Sequence, residues 1–269
     1  MQTVSSSDGT RIAYDQTGTG PALILVDGAM CHRAFGPMPA LVPLLAPHFT
    51  VITYDRRGRN ESTDNAPYAV EREIEDLAAL IEMAGGSAFV YGISSGAALA
   101  LLATASGLPI TGLALYEPPY RSNVGDAERN AAVQYRDQMN ELSAAGRRGD
   151  MVRMFMTLVG TPSEAIEGMS HSPMWPMFEA VAPTLSYDAA IMGDNSVPID
   201  RAATVTVPTL VAAGGASPEW FRVAAHELAA AISDHEVATL DGQTHEVDPT
   251  VLAPRLIAFF SERVGASAT

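Results

Sequence analysis

Six short apolar runs, at residues 22–26, 49–54, 88–91, 112–116, 209–213 and 236–240, recur along the chain, and helical patterns stand between most of them. Each run has the length of a strand and is bounded by turn-forming residues, which suits strands buried on both faces. The intervening patterns at 38–45, 70–83, 96–104, 219–232 and 251–260 read as helices. The clearest is 70–83, where Ile74, Leu77, Leu80 and Ile81 form one apolar stripe and acids occupy the first turn. Buried strands alternating with amphipathic helices predict an α/β architecture, a mostly parallel sheet covered by helices on both faces. Residues 2–6, a turn at Asp8-Gly9 and residues 11–14 read as a leading hairpin, which brings the strand count to eight.

The rhythm breaks between 121 and 200. That stretch holds helical patterns, no good strand, and eight of the twelve methionines. The expected organisation is therefore an α/β core from 1–120 and 201–269, with residues 121–200 inserted between two strands as a helical cap. Its expected place is over the strand ends, where open α/β sheets bind their ligands. Residues 265–269 read as a frayed tail.

Composition narrows the function classes. The 269 residues carry a net charge of −15, which repels phosphate backbones and anionic lipids. Neither nucleic acid nor a membrane is expected as a partner; a small-molecule substrate is. Charged residues are only 17 % of the chain and apolar ones 47 %, a balance that favours a folded core over disorder. The single cysteine, Cys31, allows no disulfide framework and reads as a small buried hydrophobe. The first residues lack a basic stretch followed by an apolar one, and no apolar run reaches the roughly 18 residues of a membrane span. These features predict a cytoplasmic protein.

The chemistry-bearing motif is Gly92-Ile93-Ser94-Ser95-Gly96. An apolar strand leads in and a helix of small residues leads out, the setting in which a tight turn exposes a nucleophilic serine. Glycines at 92 and 96 fit a turn too tight for side chains. The Ser95 N–H, at the helix N-terminus, is aimed where an oxyanion would form. Two look-alikes fail on context. Gly18-Thr19-Gly20 precedes a strand, whereas a dinucleotide fingerprint follows one; and the Ser94 turn lacks the lysine of a phosphate-binding loop. No His, Asp or Glu cluster has metal-ligand spacing, and no cofactor is expected.

With this turn, the order of Asp27-Gly28-Ala29, Tyr54-Asp55-Arg56-Arg57-Gly58-Arg59, a helical insertion and a late Asp241-Gly242-Gln243-Thr244-His245 resembles an α/β hydrolase over nearly the whole length. The resemblance implies Ser94 as nucleophile, His245 as its general base, and the N–H groups of Ala29 and Ser95 as the oxyanion hole. The acid departs from the commonest pattern, because Ser217 occupies its usual place after the strand at 209–213. One group of haloalkane dehalogenases instead puts an acid after the strand that follows the turn helix, and here that position is Glu117. Glu219 is the rival, with Asp27 a further alternative. Asp27 also stands where the family usually has histidine; Arg57 or Arg59 could balance its charge, or its carboxylate could order the loop through backbone N–H groups. Met30, Met154, Met174 and Trp175, with Asp27, are candidate pocket residues, a methionine-rich set suited to an adaptable apolar cavity.

The expected function is a serine hydrolase that cleaves a small, largely apolar carboxylic ester or lactone through an acyl-enzyme. The alternatives are a carbon–carbon bond hydrolase or cofactor-free oxygenase on the same fold, and a non-catalytic small-molecule binder or receptor.

Overall fold

The computed structural model describes residues 2–266. Eight strands form one sheet: β1 (Gln2–Ser5), β2 (Arg11–Thr17), β3 (Ala22–Val26), β4 (Thr50–Tyr54), β5 (Ala88–Ile93), β6 (Ile110–Tyr116), β7 (Thr209–Gly214) and β8 (His235–Leu240). Their spatial order is β1-β2-β4-β3-β5-β6-β7-β8; only the β1–β2 and β2–β4 pairings are antiparallel. The core helices are α1 (Met38–Leu45), α2 (Val70–Met83) and α3 (Ser95–Ala105), with α10 (Glu219–Ala230) and α11 (Pro249–Ala266) after the insertion. Residues 265 and 266 thus end α11, and the rest of the expected frayed tail lies outside the described residues.

The strand pleat divides the core in two. Ile24, Val26, Val90, Leu113, Leu115 and Val211 face one apolar cluster with α2, α3 and α10. Their sequence neighbours Leu23, Leu25, Phe89, Tyr91, Ala114 and Leu210 face a second cluster with α1 and α11. Period-two alternation between two buried faces is why these runs read as continuously apolar.

Six helices stand between β6 and β7: α4 (Asp126–Ala144), α5 (Arg148–Leu158), α6 (Ser163–Ser170), α7 (Trp175–Val181), α8 (Leu185–Met192) and α9 (Ile199–Ala202). The last runs two residues past the expected boundary at 200. The ends of the insertion meet, Arg121 N–H donating to Asn195 O and Val197 N–H to Arg121 O. Met139, Met151, Val152, Met156, Ile166 and Trp175 form an apolar cluster here, and Met30 and Ala29 of the loop after β3 join it. Among the described residues no helix is long and apolar enough to cross a membrane.

Candidate active site

At the end of β5 the chain reverses into α3 through Ser94, whose φ of 56° and ψ of −131° lie outside the usual regions for a residue with a side chain. Such a conformation costs on the order of 1–3 kcal/mol, supplied by its surroundings. Two contacts hold it. A Cβ on Gly92 would come within 2.5 Å of Gly96 O, and one on Gly96 within 2.3 Å of Val26 O. Both positions therefore exclude any side chain. Ser94 N–H donates to Tyr116 O, which ties the turn to β6, and the Ser94 side chain remains partly exposed. Gly28 lies directly against it, since a Cβ there would approach Ser94 Cβ at 3.0 Å.

Directly after β6 comes Glu117, fully buried and also left-handed at φ 44°. Its two carboxylate oxygens have separate partners. Oε1 accepts from Gly214 N–H at 2.8 Å, and Oε2 lies 2.7 Å from His245 Nδ1. An ionised carboxylate at Nδ1 selects the tautomer with the proton there, leaving the Nε2 lone pair free to accept one. The loop carrying His245 is anchored where Tyr116 O–H donates to Thr244 O at 2.6 Å. The imidazole also stacks on Phe221 of α10, with ring centroids 5.2 Å apart and planes at 18°.

The rival acids lie otherwise. Glu219 is exposed in the first turn of α10, with no hydrogen bond or ion pair among the described residues. Ser217 is buried, its hydroxyl without a partner among the described residues, in a loop whose carbonyls at Gly214, Gly215 and Ser217 accept from Arg222.

Asp27 meets one expectation in part, since the Arg59 charge acts on its carboxyl without a hydrogen bond. Among the described residues no backbone N–H donates to its buried carboxyl, and Oδ1 has no partner. Neither Arg57 nor Arg59 bonds it. Arg57 is bidentate on Asp76 and also reaches Asp8, whereas Arg59 is bidentate on Asp188. Burial pushes the Asp27 carboxyl up to about 7; the Arg59 and Arg56 charges oppose this and Asp55 adds to it. Cys31 is half-buried rather than buried, and its thiol is pushed up to about 12, by burial first and then by Asp27.

Of the expected pocket residues, Met30, Met154 and Trp175 belong to the apolar cluster of the insertion. Trp175 N–H donates to Glu179, and Arg153 lies over its ring. Met174 is 49 % exposed just before α7. Residues that sequence reasoning missed are Asp188, Phe221 and the Ser95 hydroxyl. Asp188 carries no motif, and its contact with Ser95 spans 93 positions. The one available signal was three arginines within four residues after a buried strand, which demand buried acids from elsewhere in the chain.

An eight-stranded sheet of this order, a strained serine between strand and helix, and a carboxylate–imidazole pair formed after β6 and β8, on either side of β7, define a hydrolase class. The sequence profile of the alpha/beta hydrolase family matches residues 11–258, and the chain belongs to that family. It is similar to an alpha/beta hydrolase from Sphaerobacter thermophilus, at 54 % identity over 96 % of this chain and 100 % of that one, with a TM-score of 0.85. The enol-lactonase from Burkholderia xenovorans (21 % identity, 97 % of this chain and 100 % of that one, TM-score 0.68) shares the fold. So does a thermophilic esterase from Thermogutta terrifontis (21 % identity, 100 % and 99 %, TM-score 0.68).

Proposed function

We propose that this hydrolase cleaves small, largely apolar carboxylic esters or lactones through an acyl-enzyme on Ser94. The observation that carries the reading is the 2.7 Å contact between His245 Nδ1 and the buried Glu117 carboxylate, across the strand ends from a strained serine. A serine hydroxyl is a weak nucleophile until a base takes its proton during attack. In the proposed cycle Ser94 Oγ adds to the ester carbonyl while its proton passes to His245 Nε2. The carbonyl oxygen becomes an oxyanion held by the Ala29 and Ser95 N–H groups. Collapse breaks the bond to the leaving oxygen, which takes the proton from His245. Water then repeats the sequence on the acyl-enzyme, frees the acid and restores Ser94. Glu117, at 2.7 Å from Nδ1, fixes the tautomer and stabilises the imidazolium.

An esterase and lactonase named among the structural neighbours agree with this chemistry as fold analogues. Apolar substrates fit because Ala29, whose N–H is a proposed oxyanion donor, and its neighbour Met30 pack with the insertion's methionine cluster. The test is turnover of p-nitrophenyl esters and simple lactones beside a 1,5-diketone. Ester or lactone turnover that falls by up to about 10⁶-fold in Ser94→Ala is expected. Diketone cleavage without ester turnover would make the protein a carbon–carbon hydrolase, and tight binding without turnover would make it a receptor.

A further inference from the structure

The proposed oxyanion donors share one buried anchor. The N–H groups of Ala29 and Ser95 have no hydrogen-bond partner among the described residues. The other polar group beside each is fully engaged. Gly28 O, on the same peptide unit as the Ala29 N–H, accepts from Arg59 Nη1 at 2.5 Å. In a trans peptide C=O and N–H point opposite ways, so fixing that carbonyl fixes the direction of the Ala29 N–H. The Ser95 hydroxyl donates to Asp188 Oδ1 at 2.7 Å, which fixes the first residue of α3. Asp188 and Arg59 in turn hold each other, Arg59 Nη2 lying 3.0 and 2.8 Å from the two carboxylate oxygens.

The pair has little freedom. Arg59 is 1 % and Asp188 5 % exposed. A guanidinium has five N–H groups, and here every one has an acceptor. Nε donates to Thr184, Nη1 to the carbonyls of Gly28 and Cys31, and Nη2 to both Asp188 oxygens. Asp188 also accepts from Arg56 Nη1 at 2.7 Å. Burial alone would push the Asp188 carboxyl up, but the Arg59 and Arg56 charges and the Ser95 hydroxyl outweigh it and hold it below the usual range. It is thus an acceptor only. Asp188 belongs to α8, which with α9 contacts α3.

We infer that Arg59 and Asp188 are positioning residues of the oxyanion hole, one buried ion pair that aims both N–H donors and makes α8 part of the catalytic apparatus. This rests on the acyl-enzyme reading above. The network reaches the carbonyl of the Gly28–Ala29 peptide unit and the side chain of Ser95, the residue that follows the nucleophile, which are the two places that set the proposed donors. An anchor of transition-state donors acts on kcat, because the oxyanion exists only after attack.

The test compares Ser95→Ala, which keeps the N–H and removes only its anchor, with Asp188→Asn, which keeps the shape and removes the charge. Each is checked by thermal melt, then assayed on a p-nitrophenyl ester and titrated with an aryl trifluoromethyl ketone, whose serine adduct carries an oxyanion. Expected are kcat losses of about tenfold for Ser95→Ala and about a hundredfold for Asp188→Asn, the latter on the scale of one misaligned donor. KM should stay within about threefold, and ketone affinity should fall in parallel with kcat/KM. A folded Asp188→Asn with near wild-type kcat overturns the inference, as does a kcat loss with unchanged ketone affinity. If Asp188→Asn does not fold, Ser95→Ala decides by the same two criteria. A wild-type protein that reacts with neither ester nor ketone sinks the acyl-enzyme reading itself, which is a separate result.

Discussion

Glu117 and His245 lie 128 positions apart, and their side chains meet at 2.7 Å because β6 ends beside β7 and β7 beside β8. The carboxylate has no room to serve any other imidazole, with its second oxygen spent on Gly214 N–H. Glu117→Gln preserves the shape but cannot fix the tautomer or stabilise the imidazolium. It should fold normally and lose as much as about 10⁴-fold in kcat, the scale of a neutralised triad acid. Glu219→Gln should change kcat by less than about threefold, since no transition-state contact is assigned to it. Ester kinetics on both variants, after thermal melts, check the pair; the reverse ranking would give the acid's role to Glu219.

Asp27 allows a second prediction at this scale, for stability. Its folded carboxyl titrates near 7, whereas an unfolded aspartate titrates near 3.9. The folded state therefore holds a proton that the unfolded chain releases, and this contribution is full below about pH 4. It is lost as pH rises through about 7. Each pH unit between carries about 1.4 kcal/mol, so roughly 4 kcal/mol is at stake. Asp27→Asn cannot ionise and should gain on wild type steadily from pH 4 to 7, then run parallel to it. Urea unfolding at pH 5, 6, 7 and 8 measures the difference; a constant gap would mean that Asp27 does not hold its proton.

Among the elements, α2 shows how far the sequence was legible. Its start and end follow from apolar spacing and match the helix Val70–Met83. Its inner face does not. The expected stripe was Ile74, Leu77, Leu80 and Ile81, but Ile74 is only partly buried, and Glu73 and Asp76 lie at 2 % and 1 % exposure. The reason is the loop after β4, where Arg56 and Arg57 are buried and take these two acids as bidentate partners. Periodicity sees one element at a time, so it cannot anticipate charges that a neighbouring loop brings inside. Removing one partner leaves an uncompensated buried cation. Asp76→Ala should therefore cost about 3–5 kcal/mol in urea unfolding. A loss under about 1 kcal/mol would show that Asp8 and the Arg72 carbonyl, the other acceptors of Arg57, suffice.

At the scale of the molecule, the strand positions and the Ser94 turn are readable because they rest on local pattern: apolar length, glycines at 92 and 96, small residues in α3. The anchor at Asp188 is not, because it depends on how the insertion folds back over α3. The insertion also bears on substrate choice. Phe35, in the loop after β3, meets Phe178 of α7 edge-on at 6.0 Å, and Met30 lies in the same apolar cluster as Trp175. An acyl chain against that wall should gain up to roughly 0.8 kcal/mol per buried methylene. Along p-nitrophenyl acetate, butyrate and hexanoate, kcat/KM should then rise; a falling series would mean that the methionines serve only to pack the insertion.

The central claim is a covalent acyl group on Ser94. Rapid acid quench of the protein with p-nitrophenyl butyrate, followed by peptide mass mapping, reads it directly. The account expects a butyryl mass on the peptide containing Ser94, at that residue, and none in Ser94→Ala. A butyryl group found instead on Ser95 or His245, or ester turnover undiminished in Ser94→Ala, would contradict it.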